Sequence, residues 1–338
     1  MISDRRRHIL AALVAEYITS AHPVSSRTLV ERYGLTCSSA TVRNDLAALE
    51  DEGLVYQPHT SAGRIPTDGG YRTYVDSEVG PHAAEVLGQE SDSVRRRLAA
   101  TDGGLAGIVQ EAASLLAALT GYASFVVAPP ARRSRIRRLT VVPMSPVEVL
   151  LVVVTDLGQV LKRPVEFVAP VDHAVLADVE ELLAEAVAES LPEEAEHVRR
   201  ELLRDPTPVR WLAAELLAAA ITAIVQSEEH HVAHGGLASL LRQPEFSDPR
   251  NAGSVVGLLE DAHVTADALA GLAGPGETVV RIGHENTADG FQSMSVVATA
   301  YGPATQSGVA CVIGPTRMQY VRAVAVTTCV ADSLQEAL

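Results

Sequence analysis

Between Val24 and Thr67 the chain alternates helix and turn chemistry at a spacing that leaves little choice of local fold. A short helical pattern runs from Arg27 to Tyr33, with Ser25 or Ser26 as its N-cap. Gly34 suits the position past its end, where φ is often positive. After a turn, Ser38 or Ser39 caps a second helix that runs to about Glu52. Val42, Leu46 and Leu49 fall at i, i+4 and i+7 and give it one apolar stripe. Ser39, Thr41, Arg43 and Asn44 lie off that stripe. Two helices joined by a tight glycine-containing turn, the second polar and basic at its start, predict a helix-turn-helix. In that motif the first residues of the second helix meet base edges in the major groove. An ordinary helical hairpin with a solvated polar face is the competing reading. The charge order favours the first: Arg43 sits in the N-terminal half, and Glu50, Asp51 and Glu52 sit at the far end, away from phosphates.

After Gly53, Leu54 to Gln57 reads as a short strand, Pro58 to Gly63 as a turn, and Arg64 to Pro66 as a returning strand that Pro66 keeps short. This predicts a β-hairpin, or wing, appended to the two helices. Ser39, Thr41, Arg43 and Asn44 are the candidate base readers, Arg43 for guanine and Asn44 for adenine. Thr60, Ser61 and Arg64 would hold the wing on the DNA backbone, and Arg64 can also reach the minor groove. Arg27, at the start of the first helix, completes the candidate DNA-binding set. For Arg64 the plain alternative is a solvent-exposed loop arginine.

A net charge of −15 looks wrong for a nucleic-acid binder, and its distribution softens the objection. Residues 1–76 hold 8 arginines against 9 acids, a net of −1, and the remaining 19 basic against 33 acidic groups give −14. A near-neutral head therefore precedes an acidic body, which predicts weak non-specific affinity and a salt-sensitive specific contact. A dimer would double the contacts and read two half-sites. No run of about 18 uninterrupted apolar residues occurs, so no membrane partner is expected. The N-terminus shows no secretory cleavage site and reads as mature protein. Cys37, Cys311 and Cys329, odd in number and far apart, point to a reducing cytoplasm and away from a disulfide framework.

Along the chain, residues 4–20 form a first helix buried through Leu10, Leu13, Val14 and Tyr17. Arg5, Arg6 and Arg7 either approach phosphates or form a solvated first turn. Residues 68–100 read as a connecting helix or linker broken at Gly69-Gly70 and Gly80-Pro81, with a domain boundary near 77–90. A helix follows at Leu105–Leu119, then strands at 123–128, 138–142, 148–155 and 160–168, the last two joined through Asp156–Gln159. Five arginines between Arg132 and Arg138 read as an exposed loop and strand start, with a second nucleic-acid patch as the alternative. From Val171 to about Ser227 an Ala-, Leu- and Glu-rich helical block interrupts the strands, as an insertion would; it packs either between subunits or within the chain. After a loop at Gln243–Ser254, Val255–Leu259 opens another helix. Strands return at 278–282, 293–300 and 308–313, and Met318–Leu338 closes the chain as a helix, with a strand left open.

The chemistry-bearing residues are few. His230 and His234 lie at i and i+4, a spacing that can face one metal on a helix, but no third ligand is evident; a polar helix end is the favoured reading. His284-Glu285 could imitate an acid/base pair. No nucleophile elbow, phosphate loop or dinucleotide fingerprint occurs, so no catalytic residue, cofactor or metal is expected and enzyme activity is not.

The stretch from Gly53 through Gly63-Arg64-Ile65-Pro66 to Asp76 closely resembles the HrcA family of heat-shock repressors. The resemblance recurs at Leu240–Phe246, Ile282–Asn286 and Gly314–Tyr320, so it spans nearly the whole chain. One departure is Gly69, where the family usually has a lysine that could meet a phosphate. The resemblance implies an α+β multidomain chain: a winged helix-turn-helix at 1–77, a linker or connecting helix at 78–104, a GAF-like α/β domain at 105–170 and 236–338, and an inserted helical dimerisation domain at 171–235. It implies a cytoplasmic homodimer that represses chaperone operons by binding double-stranded DNA at the CIRCE inverted repeat. It also implies activity maintained by the GroEL chaperonin and lost on heating. The helical insert, or its seam with the GAF-like domain, is then the expected labile element. A repressor whose GAF-like domain senses a small ligand is the runner-up, and a metalloregulator using His230 and His234 the third reading.

Overall fold

A computed structural model describes residues 2–60, 62–129, 134–156, 158–226, 232–247, 253, 268–269, 271–287, 291–302 and 307–337. The chain begins with three helices, α1 (Asp4–Ser20), α2 (Ser26–Tyr33) and α3 (Ser39–Asp51). Each starts on a serine that satisfies a free backbone donor: Ser3, Ser25 and Ser38 accept the N–H groups of Arg6, Thr28 and Thr41. α2 stops at Gly34, which takes a left-handed φ of +61°. Val42, Leu46 and Leu49 turn inward and close a core with Ile9, Leu10, Leu13 and Leu29. Each such side chain contributes about 1.5–3 kcal/mol on burial. Strands β1 (Val55–Tyr56) and β2 (Ile65–Pro66) then pair antiparallel, and Val24 and Arg64 exchange backbone hydrogen bonds at 2.8 and 2.9 Å.

The expected breaks at Gly69-Gly70 and Gly80-Pro81 do not occur. α4 (Asp68–Tyr74), a wide π turn (Val75–Val79) and α5 (Gly80–Val86) run on as one helical rod. Pro81 cannot donate to the preceding turn, and the wider turn ends just before it, which lets the rod continue through a residue that ordinarily breaks a helix. The rod buries Tyr71, Val75 and Val79 against the C-terminal helix α12 (Tyr320–Ala337). The core of the N-terminal head therefore continues into that of the body without interruption, from Ile9 to Leu334.

α6 (Glu90–Ala99) and α7 (Gly104–Thr120) lead into a five-stranded antiparallel sheet. Its strands are β3 (Ala123–Val127), β7 (Val232–Gly235), β8 (Thr278–Ile282), β9 (Met294–Tyr301) and β10 (Gly308–Pro315), in the order β7-β3-β10-β9-β8. β9 and β10 are buried at every position, as central strands covered on both faces must be. α7 and α12 supply one cover; the other comes from α11 (Leu237–Leu241), Phe246 and Phe291.

The segment between β3 and β7 holds a sheet as well as helices. β4 (Ile136–Ser145), β5 (Glu148–Thr155) and β6 (Val160–Glu166) pair only with one another and form a separate three-stranded sheet. Val149, Leu151 and Val153, on alternate positions of β5, are covered by Val179, Leu183, Leu216 and Leu217. Those residues come from α8 (His173–Ala186) and α10 (Pro208–Val225), with α9 (Pro192–Leu202) beside them. This corrects the expected layout, which placed the strands expected at 138–142, 148–155 and 160–168 with the larger sheet; β3 does lie there. A sheet with one apolar face must bury it on something, and here the partner is the helical block that follows it. The compact unit runs from about Ile136 to Ile224. α10 is long and apolar enough by composition to cross a membrane, and in this structure its Leu212, Leu216, Leu217 and Ile224 fill that second core. The opening helix expected at Val255–Leu259 lies outside the described residues.

Candidate nucleic-acid interface

Ser38 fixes the start of α3, its Oγ accepting the Thr41 N–H at 3.2 Å and lying 2.9 Å from the Thr41 hydroxyl. With that turn anchored, Ser39, Arg43 and Asn44 lie exposed on one side of the helix, and Val42, Leu46 and Leu49 face the core. Thr41 is half-buried and engaged with the cap. Beside α3 lies an open concavity of about 480 Å³, lined by Ser25, Ser26, Arg43, Gln57, Thr60 and Arg64 among others. Three of the predicted site residues thus meet around one hollow between the second helix, the third helix and the ribbon. Arg27 is exposed and paired with Glu31 at 2.6 Å, and Ser61 lies outside the described residues.

Arg64 is placed differently from its expected edge position. Its guanidinium turns inward to Glu50 at 2.9 Å, its side chain is only 17% exposed, and its Nε is buried without a partner. Glu50 also accepts the backbone N–H of Gln57 at 3.0 Å, and the Gln57 amide donates to the carbonyls of Thr60 and Ala62 at 3.0 and 2.8 Å. Glu50 and Gln57 therefore tie the ribbon to α3. Sequence reasoning missed both, because a glutamate at a helix end and a glutamine on a strand give no local signal of a partner.

The Arg5–Arg7 run divides: Arg7 stays in a solvated first turn, and Arg5 and Arg6 fit neither expected alternative. Arg5 donates through Nε to Asp45 at 2.8 Å, Arg6 to Asp45 at 3.4 Å and Glu52 at 3.2 Å, and Arg7 pairs with Asp4. Arg5 and Arg6 brace α1 against α3. The Arg5 hydrogen bond holds the Asp45 carboxyl below its ordinary range, against the opposing effect of burial.

No catalytic constellation assembles among the described residues. Cys311 is fully buried, which pushes its thiol up to about 12 and leaves it no thiolate to offer. His234 lies on β7, opposite Phe125, rather than at the end of a helix, so helical i, i+4 spacing with His230 does not apply; His230 lies outside the described residues. No group of three His, Cys, Asp or Glu side chains converges among the described residues. Glu285 accepts from Arg72, and His284 is hydrogen-bonded to Asp68, so both members of the apparent acid/base pair are committed to other partners. Of the arginine run, Arg132 and Arg133 lie outside the described residues, and Arg135 bonds the Glu189 carbonyl at 2.6 Å.

The described residues thus form a helical head that exposes a short polar face over a cleft, carried on a body of mixed helix and sheet. The family model described as the HrcA protein C-terminal domain matches residues 106–324. A heat-inducible transcription repressor HrcA of Nocardia farcinica is 38% identical, over 99% of this chain and 96% of its own. One from Streptomyces avermitilis is also 38% identical, over 96% and 97%. A crystal structure described as a hypothetical protein superposes with a TM-score of 0.68 at 25% identity, covering 100% of this chain and 98% of the other. The chain belongs to the HrcA family.

Proposed function

We propose that this protein is a heat-inducible transcription repressor that binds double-stranded DNA through a winged helix-turn-helix formed by α1–α3 and the β1–β2 ribbon. The observation that carries this reading is the exposure of Ser39, Arg43 and Asn44 at the start of α3, beside an open cleft lined by Arg43, Thr60 and Arg64. Arg43 is assigned to a guanine and Asn44 to an adenine, with Ser39 and Thr41 beside them. Arg27, Thr60 and Ser61 supply backbone contacts. Arg64 joins them once a phosphate replaces Glu50 as its partner.

Membership of the HrcA family supports the finer assignments: a cytoplasmic homodimer, the CIRCE inverted repeat as operator, and a repressing state maintained by GroEL. The five-stranded sheet unit is assigned as the GAF-like domain and the unit at 136–224 as the inserted dimerisation domain. No catalytic role, cofactor or membrane partner is assigned.

The test is operator binding by fluorescence anisotropy, with a CIRCE-type repeat and a scrambled duplex, with and without GroEL. Specific binding that chaperonin strengthens, and that Arg43→Ala weakens by about 1–3 kcal/mol, is the expected result. Equal binding to both duplexes and no response to chaperonin would sink the operator and the control logic. A second reading, a ligand-sensing repressor, is favoured by a cavity of about 130 Å³ lined by Leu269, Leu272, Arg281, Asn286, Phe291 and Val296. A saturable rise in melting temperature with a small metabolite would support it.

A further inference from the structure

The three stretches that carry the family resemblance beyond the head, at 240–246, 282–286 and 314–320, lie far apart in sequence and meet at one seam against the head. Arg317, only 13% exposed, donates through Nη1 to the carbonyl of Ile18 in the last turn of α1 at 3.0 Å, where a cation meets the negative end of a helix. The same guanidinium is held by Glu245 at 2.5 Å and Gln243 at 3.1 Å. On the connecting rod, Asp68 Oδ2 accepts the His284 N–H at 3.0 Å and lies 2.8 Å from His284 Nδ1. Gly283 takes φ +51°, and a Cβ there would stand 2.1 Å from that carboxylate oxygen. Arg72 forks onto both oxygens of Glu285, with Nε–Oε1 at 2.8 Å, and also donates to the Val280 carbonyl at 2.6 Å. Tyr71 and Tyr320 pack between these ion pairs, ring centroids 5.9 Å apart.

The grip is one-sided. It takes α1 and α4, and among the described residues no hydrogen bond or ion pair joins α3 to the body. A docking that blocked recognition would cover Arg43 and Asn44, and both remain exposed. Bidentate and charge-assisted contacts fix orientation more tightly than apolar packing, because a small rotation breaks them.

We propose that Asp68, Arg72, Gly283, His284, Glu285 and Arg317 are positioning residues for DNA recognition, setting the angle of the head on the body. In a dimer this latch, rather than the reading helix, then selects the separation of half-sites the protein accepts. The proposal rests on the reading of the protein as a dimeric DNA binder. One added base pair moves a half-site by about 3.4 Å and turns it by about a tenth of a helical turn. A clamped pair of heads cannot follow that displacement, whereas a swinging pair can.

The experiment compares the full-length wild type with Arg72→Ala, and with the milder Glu285→Gln and the charge-preserving Gly283→Ala. Binding is measured by anisotropy to an isolated half-site and to inverted repeats whose spacers differ by one, two and five base pairs. Circular dichroism melts identify any variant that does not fold, and conclusions are drawn from those that do. The wild type should lose about tenfold or more in affinity away from one spacing. The folded latch variants should keep half-site affinity within about threefold and flatten the spacing profile to a similar range. Latch variants with the wild-type spacing profile overturn the proposal. A wild type that binds neither half-site nor repeat overturns the DNA-binding reading and the latch with it, and the half-site arm tells the two failures apart.

Discussion

Asp45, facing inward from α3, receives the Arg5 guanidinium on α1 through two contacts of 2.8 and 3.1 Å, and nothing in the local sequence of either helix calls for the other. Its folded carboxyl titrates below the unfolded value near 3.8, so the stabilisation is complete above about pH 4 and disappears as pH falls through the folded value. Asp45→Asn should cost about 1–3 kcal/mol at pH 7, the usual range for a hydrogen bond to a charged group. The variant should also lose less stability than the wild type between pH 5 and pH 3. Urea unfolding followed at the two pH values measures both quantities. Equal acid sensitivity in the two proteins would remove Asp45 as the titrating brace.

Glu50→Gln should release Arg64 from its internal partner and keep an acceptor for the Gln57 N–H. Affinity for DNA should rise at low salt, and the slope of log K against log salt should steepen by about 1. A salt titration by anisotropy reads the slope directly; an unchanged slope means that Arg64 stays folded inward on the complex.

Ser38→Ala removes the hydroxyl that closes the first turn of α3. Stability should fall by about 1 kcal/mol. DNA affinity should fall as well, because Ser39, Arg43 and Asn44 ride on the turn that frays. Ser38→Asp, which restores a cap, should recover the stability and lose affinity by placing a negative charge near phosphate.

Leu216→Ala opens a hole in the core shared by β4–β6 and α8–α10 and should destabilise that unit by about 2–5 kcal/mol. Since that core is separate from the one running through the head, calorimetry should show one transition moving down and the other staying within a few degrees. Two transitions that shift together would place the boundary elsewhere than Ile136.

What the sequence disclosed follows the range of the physics. The apolar stripe of Val42, Leu46 and Leu49, the serine caps and the Gly34 stop are local, and the helices they predict are present within a residue or two. Partner choice is not local. Arg64 reads as a charge free for phosphate and Arg5 as either that or part of a solvated first turn, yet each finds a carboxylate on α3 only because the fold brings it near. Periodicity located β4, β5 and β6 but could not say which helices would cover them. Gly80-Pro81 signalled a break that a wider helical turn absorbs. His234 illustrates the limit of spacing: i, i+4 has meaning on a helix and none on a strand.

The unbroken core from Ile9 to Leu334 also bears on how the protein is born. Tyr71, Val75 and Val79 leave the ribosome long before the helix that shelters them, Tyr320–Ala337. Throughout synthesis the rod behind the reading helix presents a bare apolar flank. A chain cut short before residue 320 keeps α3 and its exposed arginine but loses the apolar cover of the rod on which the head is mounted. Synthesis as far as Tyr320–Ala337 is therefore built into the fold as a condition for sheltering the rod that carries the head.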